Sequence, residues 1–192
     1  MDTELQQLSE AFSQFFKVEH AIAINIQPTH SPLPDEAQFQ TAIPELFLLA
    51  GNIGQLNISA LRSLQRLGEL AEELAHYLQQ QAHKLDLLLH YVLRQQDLAE
   101  YRYQTLSYGG AGLTFLAREA LVPLSVLEIK LFLSDNAGAV FCYGQVLSCD
   151  PDANGYLTKV VFMRIRDEDR ELLVRASLQQ QARQLKQKAA ER

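Results

Sequence analysis

Residues 103–115 read YQTLSYGGAGLTF and place two strand-like runs around a serine and three glycines. Tyr103 and Leu106 are typical of one strand, residues 113–115 are typical of the next, and residues 107–110 predict the turn between them. Glycine permits positive φ angles and lets a second backbone or a ligand come close. The stretch by itself therefore predicts a hairpin, more often with an ordinary turn than with a turn that faces a ligand, and we expect Gly110 to hold a conformation closed to other residues.

The residues that follow predict an antiparallel sheet and a terminal helix. Residues 126–133 alternate apolar and polar side chains as a half-buried strand does, and residues 139–147 predict the next strand. Residues 149–156 contain the dipeptides Asp-Pro and Asn-Gly, which are strong turn signals. A return strand is predicted at 156–163 and a helix at 167–191.

This order of elements resembles the PilZ domain, a small antiparallel β-barrel that binds cyclic di-GMP in many bacterial proteins. The resemblance covers about half of the chain and is sharpest at Ser107, Gly110, Gly144, Phe162 and the acidic helix start at 167–170. It implies an α+β fold, in which a small PilZ-like barrel is joined to a long heptad-repeat helix and flanking helices.

Two motifs carry the ligand in this family. The turn motif reads Asp or Asn, any residue, Ser, any two residues and Gly; the matching positions here are Thr105, Ser107 and Gly110, so threonine replaces the acidic or amide residue. The second motif is a pair of arginines separated by three residues ahead of the barrel, suited to phosphate oxygens and guanine faces. The arginines nearest the barrel, Arg94 and Arg102, have a different spacing.

The resemblance thus implies a nucleotide site at Thr105, Ser107 and Gly110 with a nearby arginine such as Arg102. Because we expect the arginine pair to be missing, we predict weak or absent cyclic di-GMP binding. No other cofactor is expected.

Composition limits the classes of partner. The chain has 192 residues, of which 47% are hydrophobic, enough for one domain with an extension or for two small domains. The net charge of −6 argues against nonspecific nucleic-acid binding. No apolar run approaches the ~20 residues that a membrane span needs, and the N-terminus has no signal-peptide pattern. We therefore expect a cytoplasmic protein without nucleic-acid or membrane partners.

The first half of the chain is predicted to be mainly helical. Residues 3–16 predict an amphipathic helix, residues 19–27 a strand, and residues 35–50 a second helix. The strand either completes the barrel, with the helices inserted after it, or the barrel lacks one strand. The expected organisation is a helix and strand in 1–34, a helical region in 35–97, the barrel in 98–166 and a C-terminal helix in 167–192.

Residues 57–97 lack proline and predict a helix about 60 Å long with readable heptads. Its apolar stripe includes positions a, d and e, which is broader than the seam of a two-stranded coiled coil. Such a stripe fits a helix with several neighbours, in an intrachain bundle or in an oligomer. We favour an oligomer, and a tetramer in particular, because no other predicted helix is long enough to cover the stripe. The predicted interface residues are Leu64, Leu67, Ala71, Leu74, Leu78, Leu85, Leu88 and Val92.

We find no pattern that indicates catalysis. His76, His83 and His90 recur every seven residues, about 10.5 Å apart along a helix, which is too far to share a metal ion. The sequence contains no catalytic triad order, metal-ligand spacing or phosphate loop. We therefore expect a protein that is not an enzyme and has no metal site.

These observations predict a noncatalytic bacterial signalling or adaptor protein. Its atypical PilZ domain would oligomerise through the long helix and act on a protein partner that the sequence does not identify. The alternative, implied by the resemblance, is a genuine cyclic di-GMP effector that controls motility, biofilm formation or virulence.

Overall fold

The computed structural model describes residues 12, 17–50, 69–133 and 138–190. Its strands are β1 (Lys17–Glu19), β2 (Ala23–Pro28), β3 (Arg102–Gly109), β4 (Gly112–Ala117), β5 (Val126–Phe132), β6 (Ala139–Asp152) and β7 (Gly155–Arg164). Its helices are α1 (Glu36–Ala42), α2 (Glu69–Gln95) and α3 (Asp167–Ala190), with a helical segment at 45–50 and a 3-10 turn at Ala99–Tyr101.

The strands form a closed antiparallel barrel in the order β3-β2-β5-β6-β7-β4, because β4 pairs with β3 as well as with β7. The barrel interior is filled by alternate residues of each strand, as the period of two requires. Its fully buried side chains include Ile24, Leu113, Phe115, Leu127, Ile129, Leu131 and Val160. The α+β fold class expected from the sequence is confirmed.

The strand predicted at 19–27 is interrupted. Residues 20–22 leave the ladder between β1 and β2, and pairing resumes at Ala23, opposite Gln104 of β3. β1 and β2 lie along the same edge of β3, and β2 also pairs with β5 along its whole length. The N-terminal segment therefore supplies a barrel strand, and the helical region is inserted between β2 and β3.

The prediction of a single helix at 35–50 is wrong, because the structure has two helical segments there. α1 begins with a capping box in which Asp35 and Gln38 satisfy each other's backbone N–H groups, at 2.8 and 3.0 Å. It ends at Ala42, because Ile43 precedes Pro44 and takes an extended conformation, as residues before proline do. A new helical segment then starts, and its Phe47 N–H donates to the Pro44 carbonyl at 2.9 Å.

The long helix predicted at 57–97 corresponds to α2, which ends at Gln95. The prediction for residues 57–68, and all of the helix predicted at 3–16 except residue 12, lie outside the described residues. The C-terminal end of α2 contributes Leu93 to a second hydrophobic cluster, on the outside of β5 and β6. In this cluster Phe39 and Phe47 pack on Phe141, so α1, segment 45–50 and α2 are attached to one face of the barrel.

Two turns differ from their predicted positions. β3 continues through Ser107 and Tyr108 to Gly109, so the predicted turn at 107–110 begins too early. β6 continues to Asp152, and the turn predicted at 149–156 is confined to residues 153–154 before β7 starts at Gly155. In both cases strand pairing across the barrel extends into residues with strong turn propensity.

Candidate functional site

Ser107 lies on the outer surface of the barrel. It pairs with Glu19 of β1 on one side and with Thr114 of β4 on the other. Thr114 alternates with Leu113 and Phe115, which belong to the interior cluster, so Thr114 and its partner Ser107 face outward. Ser107 is half-buried and is the one residue of the predicted turn motif whose side chain is placed to meet a ligand.

The Thr105 side chain is buried and fully used. Its hydroxyl donates to the carbonyl of His20 at 2.7 Å and accepts from the N–H of Ile22 at 3.0 Å. These bonds satisfy the backbone where β1 and β2 separate. A carboxylate at this position could accept from Ile22 but could not donate to His20, which explains how threonine suits this barrel.

Gly110 is buried, and its carbonyl accepts a 2.6 Å hydrogen bond from Nη1 of Arg170. This bond ties the β3–β4 turn to the first part of α3. The expectation that Gly110 needs a positive φ is wrong: among the described glycines, positive φ occurs at Gly138 and Gly155. Gly110 therefore acts through its backbone carbonyl.

Arg102, the predicted phosphate partner, is already paired. Its Nε lies 2.7 Å from Oδ2 of Asp97, in the connection between α2 and β3. The other carboxylate oxygen of Asp97 accepts from Nδ2 of the buried Asn25, whose Oδ1 accepts from the N–H of Leu98 at 2.6 Å. The network fixes the exit of α2 against β2, so Arg102, whose side chain is 52% exposed, already has an anionic partner within the chain.

A phenylalanine from the N-terminal segment covers the outer surface beside the turn. Phe12 is 5% exposed and rests on Gly112 of β4, where an added Cβ would lie 2.9 Å from the ring. It forms a small cluster with Val161 of β7, together with Leu124, Leu147 and Met163. We call Gly112 and these four apolar residues the Phe12 seat. No sequence pattern indicated this seat, because Phe12 is one of several apolar residues in the helix predicted at 3–16.

Comparison with known proteins decides the family. The model of the PilZ domain matches residues 79–179, more than half of the chain. The chain belongs to the PilZ domain family. The family resemblance expected from the sequence is confirmed. No curated protein matches this PilZ protein by sequence.

Two solved structures align with this PilZ chain. A pathogenic protein from Xanthomonas campestris, described as a tetrameric PilZ domain self-assembled through a helical bundle, aligns with a TM-score of 0.58 and 20% identity, over 92% of this chain and 96% of that one. The Bacillus subtilis inhibitor of motility aligns with a TM-score of 0.47 and 9% identity, over 88% of this chain and 51% of that one. The first likeness supports the fold.

One pair of arginines in this PilZ chain does have the family spacing. Arg62 and Arg66 are separated by three residues, so the expectation that no such pair precedes residue 98 is wrong. Both lie outside the described residues. On the predicted heptad frame they take the outer positions f and c, and they follow the first barrel strands β1 and β2 in the chain instead of preceding them.

The residues predicted to form an oligomer interface fall into two groups. Leu64, Leu67 and the side chain of Ala71 lie outside the described residues. Leu74, Leu78, Leu85, Leu88 and Val92 are on α2, and all five are exposed in the isolated chain. Tyr77 and Tyr91, at the neighbouring g positions, are exposed as well.

The described residues contain neither a cluster of metal-ligating side chains nor a helix that could span a membrane. No group of three or more His, Cys, Asp or Glu side chains converges there as metal ligands would. None of the helices in this part of the chain combines the length and the apolar character that crossing a membrane demands.

Proposed function

We propose that this PilZ protein is a noncatalytic signalling adaptor that assembles with copies of itself through α2 and acts by binding other proteins. The observation that carries the proposal is the apolar surface of α2, where Leu85, Leu88 and Tyr91 are 60%, 62% and 65% exposed. Leaving one leucine in water instead of burying it costs about 1.5–3 kcal/mol. We also propose that the adaptor acts in the bacterial cytoplasm.

The chain covers one side of α2 and leaves another side open. Ala75, at an e position, is buried, and the e residues Ala82 and Leu89 are half-buried. Most of the exposed leucines, the valine and the two tyrosines lie at a, d and g positions, and exposed Leu87 lies at position c, next to the g side. Within the broad stripe, the e side therefore packs against the chain itself, and the a, d and g side is available to other copies.

The width of the open side favours four helices over two. Positions a, d and g span about 120° of a helix with 3.6 residues per turn, whereas a two-stranded coiled coil buries only the a and d seam. Each helix of a four-helix bundle contacts two neighbours and can bury the g tyrosines too. The tetrameric helical bundle of the Xanthomonas campestris protein, which aligns over most of this chain, supports the same arrangement.

We further propose that cyclic di-GMP binds weakly or not at all. Three sets of contacts support this proposal. The Thr105 hydroxyl is hydrogen-bonded to the backbone of His20 and Ile22, and Arg102 is paired with Asp97. Phe12 covers Gly112 beside the turn. Of the three turn-motif residues, Ser107 alone presents its side chain outward. The alternative, a genuine cyclic di-GMP effector, is favoured by the family and by the spacing of Arg62 and Arg66.

Titration calorimetry with cyclic di-GMP, on protein whose mass has been fixed by light scattering, separates these readings. We expect no binding with a dissociation constant at or below about 1 μM. If binding that tight is found, a variant with Arg62→Ala and Arg66→Ala shows whether this pair forms the clamp. Arg175→Ala, which removes an exposed arginine of α3, is the matched control.

A further inference from the structure

The Phe12 seat is shaped for an aromatic ring. A Cβ at Gly112 would lie 2.9 and 3.0 Å from two carbons of the ring and 2.0 Å from the Val160 carbonyl oxygen, so the neighbouring backbone of β7 requires glycine here and the ring uses the space that glycine leaves. Val161, Leu124, Leu147 and Met163 complete the walls. Phe12 reaches the seat from a segment that precedes β1, and it is buried there although it belongs to neither the barrel interior nor the cluster on β5 and β6.

Positive charge surrounds the seat. Nζ of Lys17 lies 3.4 Å from the centre of the Phe12 ring, in a cation–π contact. Partial burial, and after it the positive charge of Lys159 on β7, lower the pKa of Lys17. Neither lysine forms an ion pair with any residue that the structure describes. The segment that supplies Phe12 has the opposite charge, since residues 1–16 contain Asp2, Glu4 and Glu10 and no lysine or arginine.

Leu124 in the wall of the seat, and Gln145 beside Val161, have unfavourable local features. Leu124 has a φ of 66°, the one positive value at a non-glycine residue among those described. Gln145 pairs with Val161 and donates weakly to the Leu124 carbonyl at 3.5 Å, and its buried Oε1 has no hydrogen-bond partner in the described part of the chain. Buried acceptors without partners and strained backbones are costly and concentrate at binding sites.

We propose that the Phe12 seat is the docking site of the adaptor, for an aromatic side chain in an acidic segment of a partner protein, and that Phe12 occupies it in the free protein. The inference rests on the proposed adaptor function, because it names the surface through which that function is exerted. The chain itself indicates the chemistry that the seat accepts: one ring lies on Gly112, and the sequence that carries this ring is acidic, opposite in charge to Lys17 and Lys159.

This arrangement explains why assembly and docking belong together. A segment attached to the same chain acts at a millimolar effective concentration, so a single external segment must displace Phe12 against that competition. An assembly that displays several seats allows a partner with several aromatic segments to bind with avidity, without any new contact. Self-assembly through α2 would thus raise the overall affinity for such a partner, although its binding at each single seat is weak.

Methyl NMR on the full chain tests the proposal, because four wall residues carry methyl groups that report the ring current of a docked ring. The protein is wild type or Phe12→Ala, and the probe is a peptide of residues 1–16 of this chain. We expect Phe12→Ala to remove upfield shifts from Leu124, Leu147, Val161 and Met163, and the peptide to restore them at millimolar concentration. Wild-type protein should need at least about tenfold more peptide, because its own Phe12 competes.

A Phe12→Leu peptide, which keeps all charges, is the matched control and should not restore the shifts. Lys159→Gln in the Phe12→Ala protein should weaken peptide binding several-fold at low salt. The proposal is overturned if Phe12→Ala leaves the wild-type shifts unchanged, if both peptides act alike, or if no peptide restores the shifts. Light scattering on the same samples distinguishes failure of the docking site from failure of the self-assembly. If the oligomer is intact and the peptide titration fails, only the docking site is overturned. If the protein is a monomer, the proposed assembly is overturned.

Discussion

The hydroxyl of Thr105 bridges the gap between the first two strands of the barrel by donating to the carbonyl of His20, 85 residues away in sequence, at 2.7 Å. The same oxygen accepts from the N–H of Ile22 at 3.0 Å. A position that binds ligand in the family pattern is therefore used here to hold β1 and β2 on β3. The barrel depends on this residue whether or not it binds a nucleotide.

Thr105→Val should destabilise the protein by about 1–3 kcal/mol, because it keeps the shape and leaves a buried donor and acceptor unpaired. Urea unfolding measures this loss. Thr41→Val, at an exposed position of α1, is the matched control and should stay within about 0.5 kcal/mol of wild type. Equal stabilities for the two variants would show that the bridge contributes nothing.

The pair formed by Arg166 and Asp169 should behave as a buried ion pair. Two guanidinium nitrogens of Arg166 lie 2.8 Å from the Asp169 oxygens, and one of them also donates to the Phe47 carbonyl at 3.2 Å. Asp169→Ala leaves the buried guanidinium without its partner and should cost about 3–5 kcal/mol. Glu168→Ala, which removes the exposed carboxylate 3.7 Å from Arg166, should cost less than about 1 kcal/mol. Similar losses in chemical denaturation would contradict this assignment.

The pH dependence of stability should also report Asp169. Burial raises the pKa of Asp169 above its ordinary value, although the Arg166 bonds oppose the rise. Between the unfolded and folded pKa values the folded state holds more protons, so this group's contribution to the unfolding free energy falls as pH increases. The stability of wild type relative to Asp169→Asn should therefore decline as pH rises from about 4 through the folded pKa. If the stability of wild type relative to Asp169→Asn instead rises over this pH range, the ion pair with Arg166 has a larger effect on the pKa of Asp169 than burial has.

Gly155 is the glycine that the β6–β7 hairpin needs. Its φ is 146°, and a Cβ would lie 2.4 Å from the carbonyl oxygen of Ala117 on β4. Gly155→Ala should destabilise the barrel by more than about 1 kcal/mol, since strained backbone costs about 1–3 kcal/mol. Thermal melts can compare it with Asn154→Ala, at the exposed neighbouring position. Identical melting temperatures would show that the hairpin absorbs the added methyl group without strain.

Local sequence patterns predicted the barrel strands well where alternation was clear. The predicted run 126–133 is β5 almost to the residue, and the acidic start at 167 begins α3. These elements follow from the spacing of apolar residues and from helix-start residues, both of which are present within a short stretch of sequence. The α2 helix could be predicted equally well, because its heptads repeat and are not interrupted by proline.

The remaining features depend on contacts between distant residues. Pairing with β1 and β4 extends β3 past Ser107, and pairing with β7 carries β6 through Pro151 to Asp152, against local turn propensity. The break at residues 20–22 is held by Thr105, and the Phe12 seat joins one residue before β1 to three strands and to the connection between β4 and β5. No local pattern encodes such partners, so the candidate site could be predicted only as motif positions and not as side chains that face a ligand.

Light scattering of the full chain tests the central claim of self-assembly through α2 most directly. At micromolar concentration we predict a mass of four times the 21.7 kDa chain for wild type. A variant with Leu78→Asp and Leu85→Asp should dissociate, because charges would replace leucines of the open stripe, while circular dichroism retains the β signal. Val122→Asp, on an exposed loop far from α2 in sequence, should leave the mass unchanged. A wild type that runs as a monomer at this concentration would contradict the account.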